Sequence, residues 1–429
     1  MSYEQTIEYL FSAMPSFQNV GGDAYKPGLE RIREFCQRLD NPQRKYFVIH
    51  IAGTNGKGST SHMLASVLQA AGWGVGLFTS PHLHDFRERM RINGDMISQE
   101  EVVAFVDQHK KSMESLSLSF FEMTAAMAFD HFARNKVEVA IIETGLGGRL
   151  DATNIVEPQL TIITNIGIDH TKYLGTTIEQ IAAEKAGIIK HSVPIILGES
   201  CDEYNTIIEH KAEEVGAQLI YAEKAIKWLS TQATKDGQLI EFERQRDRKQ
   251  YSVEIDLRGE YQSRNLITAC AALDYINRHS PLTVSTHSFH DGLRNVTQTT
   301  SLQGRWQQIG SAPTIICDTG HNGHGLEYVA RQLKGCEYSN LICVMGFSND
   351  KRLEDIIPLF PKDALYIYCR PKVERAFDPH HISGVANTLG YRCEVVESVE
   401  EALNRAKSIA TKEDMIFVGG SNFVVSEII

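Results

Sequence analysis

The stretch from Tyr46 to Leu68, "YFVIHIAGTNGKGSTSHMLASVL", constrains the fold more than any other part of the chain. A short apolar run leads directly into three glycines, and a segment with helical apolar spacing follows them. Such apolar runs are typical of strands that are buried on both faces of a parallel sheet. A strand, a glycine loop and a helix in this order direct backbone N–H groups and the positive end of the helix dipole at an anion. The stretch therefore predicts a phosphate-binding loop in an α/β protein.

This loop departs from the usual P-loop pattern, G-x-x-x-x-G-K-[ST]. Ile51 stands where the first glycine is expected, and Gly58 separates Lys57 from its hydroxyl partner Ser59. We nevertheless expect Lys57 to neutralise the outer phosphates of a nucleotide and Ser59 to reach a Mg²⁺ ion. The alternative is a glycine-rich strand-to-helix turn that binds no ligand.

Composition limits the class of protein. The chain has 429 residues and a net charge of -11, which favours two domains and argues against nucleic-acid binding through phosphate contacts. No apolar run approaches the ~18 residues that would span a membrane. The eight cysteines are scattered singly, and none forms a C-x-x-C pair. We therefore expect a cytoplasmic protein without a zinc or redox motif.

Strand-like and helix-like segments alternate along the chain, which indicates an α/β fold with a parallel sheet. "GTTIEQIAAEKAGIIK" predicts a helix with a capping box of Thr176 and Glu179 and an end at Gly187. The polar alternation from about 225 to 257 predicts a small antiparallel sheet. Periodicity weakens around residue 298 and then resumes. We therefore predict a first domain over residues 1–298 and a smaller, Rossmann-like α/β domain over residues 299–429.

Polar residues that follow buried strands are the candidates for chemistry in the first domain. Glu143 ends "VAIIE" and His170 ends "TNIGIDH", so both are expected at the ligand-binding edge of the sheet. Lys185 lies among small apolar positions, and a desolvated lysine is a poorer cation and a better nucleophile. The alternative for Lys185, which the pattern alone favours, is a surface lysine paired with Glu184 or Glu179.

The second domain offers weaker signals at its predicted strand ends. "CDTGHNGHG" places Asp318 and His321 just past a buried strand, "GRW" places Arg305 near the domain boundary, and "GGSN" places Ser421 after the last strand. Loops at strand ends often carry function, although Asp and Asn also simply make turns.

Five segments together carry a family resemblance: "HIAGTNGKGST", "LFTSPHLHDFRERM", "SFFEMTAAMAF", "IIETGLGGRLDATN" and "NIGIDHTKYLGTTIEQIAAEKAGIIK". On these segments the chain resembles the folylpolyglutamate synthase/dihydrofolate synthase family of the Mur-ligase superfamily. The resemblance runs over most of the chain, and the unusual loop with Gly58 is the family's own spelling. It implies a P-loop-containing, Mur-ligase-type parallel-sheet domain followed by a Rossmann-like domain of the glutamate-ligase type.

The resemblance also implies the roles of individual residues. The ATP-binding residues would be Gly53, Thr54, Asn55, Gly56, Lys57, Gly58, Ser59, Asn265, Arg305 and Asp318. Two Mg²⁺ sites would be formed by Ser59, Ser80, Glu143, His170 and a carbamylated Lys185. The pterin pocket would be lined by Phe121, Glu122, Leu150, Asp151 and Ala152. His321 and Ser421 would lie near the incoming glutamate, and the catalytic residues would be Lys57, His170 and Lys185.

The implied reaction is ATP-dependent amide formation. L-Glutamate would be joined to dihydropteroate, to the glutamyl tail of reduced folates, or to both, through an acyl phosphate, in a monomer that needs neither membrane nor nucleic acid. Alternatives are a folylpolyglutamate synthase without the dihydropteroate reaction, and a Mur ligase acting on a cell-wall nucleotide precursor. A P-loop phosphohydrolase or kinase and a non-catalytic nucleotide-binding module are alternatives of other classes.

Overall fold

The computed structural model describes residues 1–13 and 28–429, and it divides into two compact units. The first unit contains Met1–Asp256 and Gln262–Leu302, and the second contains Leu257–Tyr261 and Gln303–Ile429. The predicted boundary at residue 298 lies close to this division. The assignment of ATP and pterin binding to the first predicted domain stays a prediction.

The first unit is built on an eight-stranded sheet within the described residues. Strands β1 to β8 are Phe47–Ala52, Val75–Phe78, Met90–Ile92, Asp95–Met96, Val139–Glu143, Leu160–Ile163, Ile195–Leu197 and Leu219–Tyr221. Their spatial order is β4-β3-β2-β5-β1-β6-β7-β8. Within this order, each strand from β2 through β8 pairs in parallel with the next, and β3 and β4 add an antiparallel edge. The central strands are buried on both faces, as their continuous apolar runs predicted.

Helices cover this sheet, and their bounds follow. The α-helices of the first unit are Tyr3–Ala13, Glu30–Arg38, Lys57–Ala70, Gln99–Ser115, Phe120–Arg134, Thr171–Leu174, Ile178–Ala186, Asp202–Glu214, Ala222–Ala225, Gln262–His279, Thr286–Arg294 and Val296–Thr300. The 3₁₀ helices are Pro42–Arg44, Phe86–Arg89 and Ala152–Ile155.

The helix Lys57–Ala70 after the glycine loop differs from the sequence prediction. Its apolar stripe predicted one buried face, but every residue from Ser59 to Leu68 is buried. The sheet covers one side of this helix, and three helices of residues 262–300 cover the other side. Small and hydroxyl side chains on the second side permit this close packing: Gly292 meets the backbone at Val67 so closely that a Cβ atom would not fit.

The helix Ile178–Ala186 begins one residue later than predicted. The capping box is formed by Thr177 and Gln180, so the prediction of Thr176 and Glu179 was wrong. Two adjacent threonines leave the register ambiguous in the sequence, and the fold selects the second. Gly187 follows the last helical residue, as predicted.

A three-stranded antiparallel sheet, in the order β11-β10-β9, confirms the prediction for residues 225–257. Its strands β9 to β11 are Ile226–Ala233, Gln238–Arg244 and Lys249–Ile255.

The second unit is a smaller α/β unit with a six-stranded sheet in the order β12-β13-β17-β14-β15-β16. Five strands pair in parallel, and β12 adds an antiparallel edge. Strands β12 to β17 are Gln307–Ser311, Thr314–Asp318, Leu341–Met345, Leu365–Arg370, Arg392–Ser398 and Met415–Gly419. Its helices are Gly323–Gly335, Leu353–Ile356, Pro379–Thr388, Val399–Ile409 and Asn422–Ser426, with a 3₁₀ helix over Ile357–Leu359. Along the described part of the chain, no helix is long and apolar enough to cross a membrane.

Candidate active site

The glycine loop between β1 and the helix Lys57–Ala70 has the geometry of an anion site. Gly53 and Gly56 adopt φ angles of +154° and +80°, which side chains disfavour. No side-chain hydrogen bond from the described residues caps the helix, whose N-cap is Gly56. The N–H groups of its first turn are therefore available to an anion, together with the positive end of the helix dipole.

A second segment, immediately after β6, holds the loop in shape. The Asn165 side chain accepts a hydrogen bond from the Asn55 N–H at 2.9 Å, and its carbonyl accepts one from the Thr54 N–H at 2.9 Å. The Thr164 hydroxyl donates to the Asn55 carbonyl at 2.6 Å. Sequence reasoning missed Thr164 and Asn165, although the polar "TN" directly after a buried strand was a usable signal.

Lys57 is held inside the loop. Its Nζ donates to the carbonyl oxygens of Gly53 and Thr54 at 3.1 and 3.3 Å, and it lies 4.0 Å from Oε1 of Glu143. Ser59 is the third residue of the helix, in its first turn, and is buried. The structure thus brings the predicted cation, hydroxyl and carboxylate to the same end of the sheet.

Lys185 is a buried lysine, and the alternative of a surface lysine is wrong. It is 3% exposed, and its Nζ donates to the Gly53 carbonyl at 2.8 Å. Glu184 forms its ion pair with Arg149 instead, at 2.7 Å. Burial, reinforced by the charge of Lys57, lowers the pKa of Lys185 to about 7. Near neutral pH a substantial fraction of this amine is therefore uncharged and nucleophilic.

The other predicted metal residues lie at or after the ends of strands β2, β5 and β6, which belong to the same sheet as β1. Glu143 is buried at the end of β5, which pairs with β1 in register Ile51 to Glu143, and its Oε2 accepts from the Ser80 N–H at 3.2 Å. His170 adopts a left-handed backbone with φ +49°, and its Nε2 lies 3.7 Å from the Asp169 carboxylate. Asp169 is a buried acid that sequence reasoning missed, although it directly precedes His170 in "GIDH".

These donors fit Mg²⁺. Within residues 1–13 and 28–429, no group of three or more His, Cys, Asp or Glu residues could hold a metal ion by itself. Mg²⁺ characteristically takes one or two carboxylates and completes its shell with water and substrate phosphates. The buried Glu143 carboxylate and the Ser59 hydroxyl beside the anion loop supply such a partial shell.

The five residues predicted for the pterin pocket lie on the helix Phe120–Arg134 and on the loop after β5. The Phe121 ring lies against Gly145 so closely that a Cβ atom there would overlap it. Leu150 is half-buried, and Ala152 begins the 3₁₀ helix Ala152–Ile155. The two carboxylates are engaged by this chain itself: Glu122 caps its helix through the Ser119 N–H at 2.8 Å, and Asp151 accepts from the N–H groups of loop residues.

Asn265 belongs to the first unit and packs at the glycine loop. A Cβ atom on Gly56 would collide with the Asn265 amide oxygen. The Asn265 amide nitrogen donates to Gln262 at 2.9 Å. This residue therefore shapes the loop, in addition to its predicted ATP contact.

The remaining predicted residues belong to the second unit. Asp318 ends β13, is buried, and accepts from the Trp306 N–H at 2.8 Å, the Gly320 N–H at 2.7 Å and the Tyr261 hydroxyl at 2.5 Å. Burial is the largest influence on its carboxyl group and raises the pKa of Asp318.

Arg305, His321 and Ser421 are also positioned by contacts within the second unit. Arg305 donates to the Thr319 hydroxyl, and His321 Nδ1 lies 3.1 Å from the Thr319 carbonyl. Because a carbonyl can only accept, Nδ1 carries the proton of that imidazole. Ser421 caps the helix Asn422–Ser426 by accepting from the Val424 N–H at 3.3 Å.

Known proteins match this chain over nearly its whole length. Residues 51–273 match the Mur ligase middle domain, and residues 304–422 match the Mur ligase glutamate ligase domain. A dihydrofolate synthase/folylpolyglutamate synthase of Bacillus subtilis is 34% identical over 94% of this chain and 94% of its own length. A probable bifunctional folylpolyglutamate synthase/dihydropteroate synthase of Haloferax volcanii is 33% identical over 100% of this chain, which spans only 50% of that protein.

Solved structures agree with these matches. Escherichia coli FolC in complex with DHPP and ADP is 30% identical, with a TM-score of 0.86 over 100% of this chain and 97% of the other. A bifunctional folylpolyglutamate synthase/dihydrofolate synthase with Mn, AMPPNP and L-glutamate bound is 30% identical, with a TM-score of 0.84 over 100% and 97% of the two chains.

The fold and the glycine-loop site therefore define an ATP-dependent ligase of the Mur ligase class. Within that class, the chain belongs to the dihydrofolate synthase/folylpolyglutamate synthase family. The predicted family, the predicted fold class and the predicted enzyme class are confirmed. The roles assigned to individual site residues stay predictions.

Proposed function

We propose that this chain joins L-glutamate both to dihydropteroate and to the glutamyl tail of reduced folates, with ATP and Mg²⁺. The relatives' names and the DHPP, nucleotide, Mn and L-glutamate ligands of the similar structures support this reaction. Amide formation from a carboxylate requires activation, and ATP provides it by converting the carboxylate to an acyl phosphate. The glutamate amine then forms the new C–N bond, and phosphate leaves.

The buried Lys185 is the observation that carries the proposal. Nucleotide binding alone accounts for one lysine at the phosphate loop, here Lys57, so a second, desolvated lysine at the loop calls for a further role. Nζ lies at the Gly53 carbonyl, and the pKa of about 7 leaves an uncharged amine that can capture CO₂ as a carbamate. Carbamylation converts a buried cation into a carboxylate-like metal ligand, at the same loop whose Lys57 lies 4.0 Å from Glu143.

The chain's own groups then handle the negative charge of phosphoryl transfer. The first-turn N–H groups and Lys57 bind the triphosphate and offset the repulsion of an attacking carboxylate. Bound Mg²⁺ supplies further charge neutralisation between the phosphates and the substrate carboxylate. Because Lys57 is already held by loop carbonyls, little reorganisation is needed when ATP binds.

The test is phosphate release with ATP, Mg²⁺ and L-glutamate, with either dihydropteroate or a reduced folate added. We expect glutamate-dependent release with both. Release with the folate alone would reduce the enzyme to a folylpolyglutamate synthase. Release that does not depend on glutamate would refute the ligase reaction.

We further propose that the enzyme acts as a monomer in the cytoplasm. All eight cysteines are free thiols, which suits a reducing compartment. Gel filtration coupled to light scattering should give a mass near 48.1 kDa, and a mass near twice that value would contradict the monomer.

A further inference from the structure

A chain of buried hydrogen bonds connects the strand of the phosphate loop to the predicted pterin pocket. His50 lies in β1, is fully buried, and its Nε2 is 2.8 Å from the Thr153 hydroxyl oxygen. The Thr153 hydroxyl also lies 2.5 Å from Oδ1 of Asp151. His50 is three positions before Gly53 and belongs to no role assigned above.

The Asp151 carboxylate is the acceptor on which these buried hydrogen bonds converge. Oδ2 accepts from the N–H groups of Gly145 and Leu146, both at 2.8 Å, and Oδ1 accepts from the Thr153 N–H at 3.0 Å as well as from the Thr153 hydroxyl. Four donors converge on two oxygens, which is the full capacity of an ionised carboxylate. The carboxylate therefore fixes the loop that follows β5.

The direction of each hydrogen bond follows from these partners. Because the Thr153 hydroxyl donates its only hydrogen to Asp151, its lone pair must accept from His50. His50 is then the Nε2–H tautomer, with Nδ1 unprotonated. A second observation agrees: among the described residues, the buried Nδ1 has no hydrogen-bond partner. Burial lowers the pKa of His50 to about 3, so the imidazole stays neutral and carries a single N–H.

The loop that Asp151 fixes lies directly against the predicted pterin residues. Gly145 lies against the Phe121 ring, where a Cβ atom would overlap ring atoms. Further along the same loop, the Arg149 N–H donates to the Glu184 carbonyl at 2.8 Å, at the end of the Lys185 helix. A shift of this loop would therefore displace the Phe121 ring directly, whereas the phosphate loop keeps its contacts with Thr164 and Asn165, and with Lys185.

We propose that His50 is a positioning residue for the pterin substrate, acting through Thr153 on the Asp151 carboxylate. This inference deepens the proposed function and rests on it. His50 touches neither nucleotide nor pterin in this role. It supplies the hydrogen that keeps the Thr153 hydroxyl turned toward Asp151, so that the loop keeps its place against the Phe121 ring.

The test compares His50→Gln with His50→Met in the full chain. The side-chain nitrogen of Gln lies as many bonds from the backbone as Nε2 and can donate to Thr153, whereas Met cannot donate. Thr153→Val removes the hydroxyl itself and serves if His50→Met does not fold. Thr161→Val is the matched control, because Thr161 is equally buried in the same sheet and donates to Pro194 at 3.0 Å, outside this chain of bonds.

Two readouts are measured on each variant. Hydrogen exchange of the Gly145 and Leu146 amides should become about tenfold faster or more in His50→Met and Thr153→Val, and should stay at the wild-type rate in His50→Gln and Thr161→Val. In steady-state assays, the KM for dihydropteroate should rise about tenfold in His50→Met and Thr153→Val, while their KM for ATP changes less than about twofold.

Each outcome decides the inference. Unchanged exchange and unchanged KM in His50→Met and Thr153→Val would overturn it. Faster exchange throughout the sheet, or an equal rise in both KM values, would also overturn it, because that pattern reports general loosening. If the wild-type chain showed no pterin-dependent release, the proposed function would fail separately, and the exchange rates would still decide whether His50 holds the loop.

Discussion

Lys185 Nζ and the Gly53 carbonyl oxygen lie 2.8 Å apart, which joins the helix Ile178–Ala186 to the first residue of the phosphate loop. The two residues are 132 positions apart in the chain. A buried ammonium loses the water that stabilised its charge. One carbonyl oxygen, with the charge of Lys57 nearby, replaces only part of that stabilisation. The amine therefore sits where the folded chain favours its neutral form.

This relationship predicts a specific pH dependence of stability. The pKa of Lys185 is about 7 in the folded chain, against an ordinary value of 10.5. Between these values the unfolded chain binds a proton that the folded chain does not, so the free energy of unfolding should rise with pH. Lys185→Met removes this contribution. Relative to the variant, the wild type should gain about 1–3 kcal/mol between pH 7 and pH 9.

Urea denaturation in CO₂-free buffers measures this difference, since a carbamate would remove the titrating amine. Lys211→Met is the control, because Lys211 lies on the surface and pairs with Glu214 at 2.9 Å. A wild type and a Lys185→Met variant with parallel stability curves from pH 7 to pH 9 would contradict the prediction.

Gly56→Ala should impair ATP binding more than folding. Gly56 has φ +80°, and an added Cβ would collide with the Asn265 amide oxygen. Gly72 is a matched control, because its φ is +88° and nothing lies within 4 Å of an added Cβ. Both substitutions should cost about 1–2 kcal/mol of stability through the left-handed backbone.

Only Gly56→Ala should raise the KM for ATP, by about tenfold or more, since only there must the loop shift away from its nucleotide-binding shape. Steady-state kinetics at varied ATP check this, alongside thermal melts of both variants. Equal KM values for ATP in the two variants would show that the loop tolerates the displacement.

Local sequence patterns were sufficient for some of these features. The strand, the glycines and the helix from Phe47 to Ala70 are contiguous, so their order alone predicts an anion site. Glu143 could be placed because the end of a buried strand in a parallel sheet is a defined location. For Lys185 the local pattern alone favoured a surface position, and only the family resemblance placed this residue in the site.

Other features depend on contacts that no local pattern contains. Asn55 and Asn165 are 110 residues apart, and His50 and Thr153 are 103 residues apart. Pairings of this kind are set by strand order, which places β5 and β6 on the two sides of β1. The second face of the helix Lys57–Ala70 was missed for the same reason, because its cover comes from residues 262–300.

Glu143→Gln should weaken the response to Mg²⁺. The substitution removes the charge of a buried carboxylate that lies 4.0 Å from Lys57 and beside the Ser80 N–H. A neutral amide is a poorer ligand for a hard cation. We expect phosphate release to fall about 100-fold and half-saturation by Mg²⁺ to rise about tenfold or more.

The control for this variant is Glu184→Gln, which loses only the pairing with Arg149 at the edge of the site. In the wild type, EDTA should abolish phosphate release, and excess Mg²⁺ should restore it. A Glu143→Gln variant with the wild-type Mg²⁺ response would exclude Glu143 as a ligand.

A comparison of variants at Glu122 and Glu101 separates the effect of helix capping from the effect of substrate binding. Each closes a capping box, with Ser119 and Ser98, and each also pairs with an arginine at 3.2 Å. Changing either to Gln should cost about 0.5–2 kcal/mol of stability. The loss should be larger at Glu122, whose side chain is 4% exposed against 32% for Glu101.

The two variants should differ in catalysis. Glu122 is a predicted pterin-pocket residue directly after Phe121, whereas Glu101 caps the separate helix Gln99–Ser115. Glu122→Gln should therefore raise the KM for dihydropteroate about tenfold, and Glu101→Gln should leave it within about twofold of the wild type. Kinetics at a temperature well below both melting points measure this. If both variants kept the wild-type KM, Glu122 would be a helix cap alone, and the pterin pocket would be formed by Phe121 and the loop that Asp151 holds.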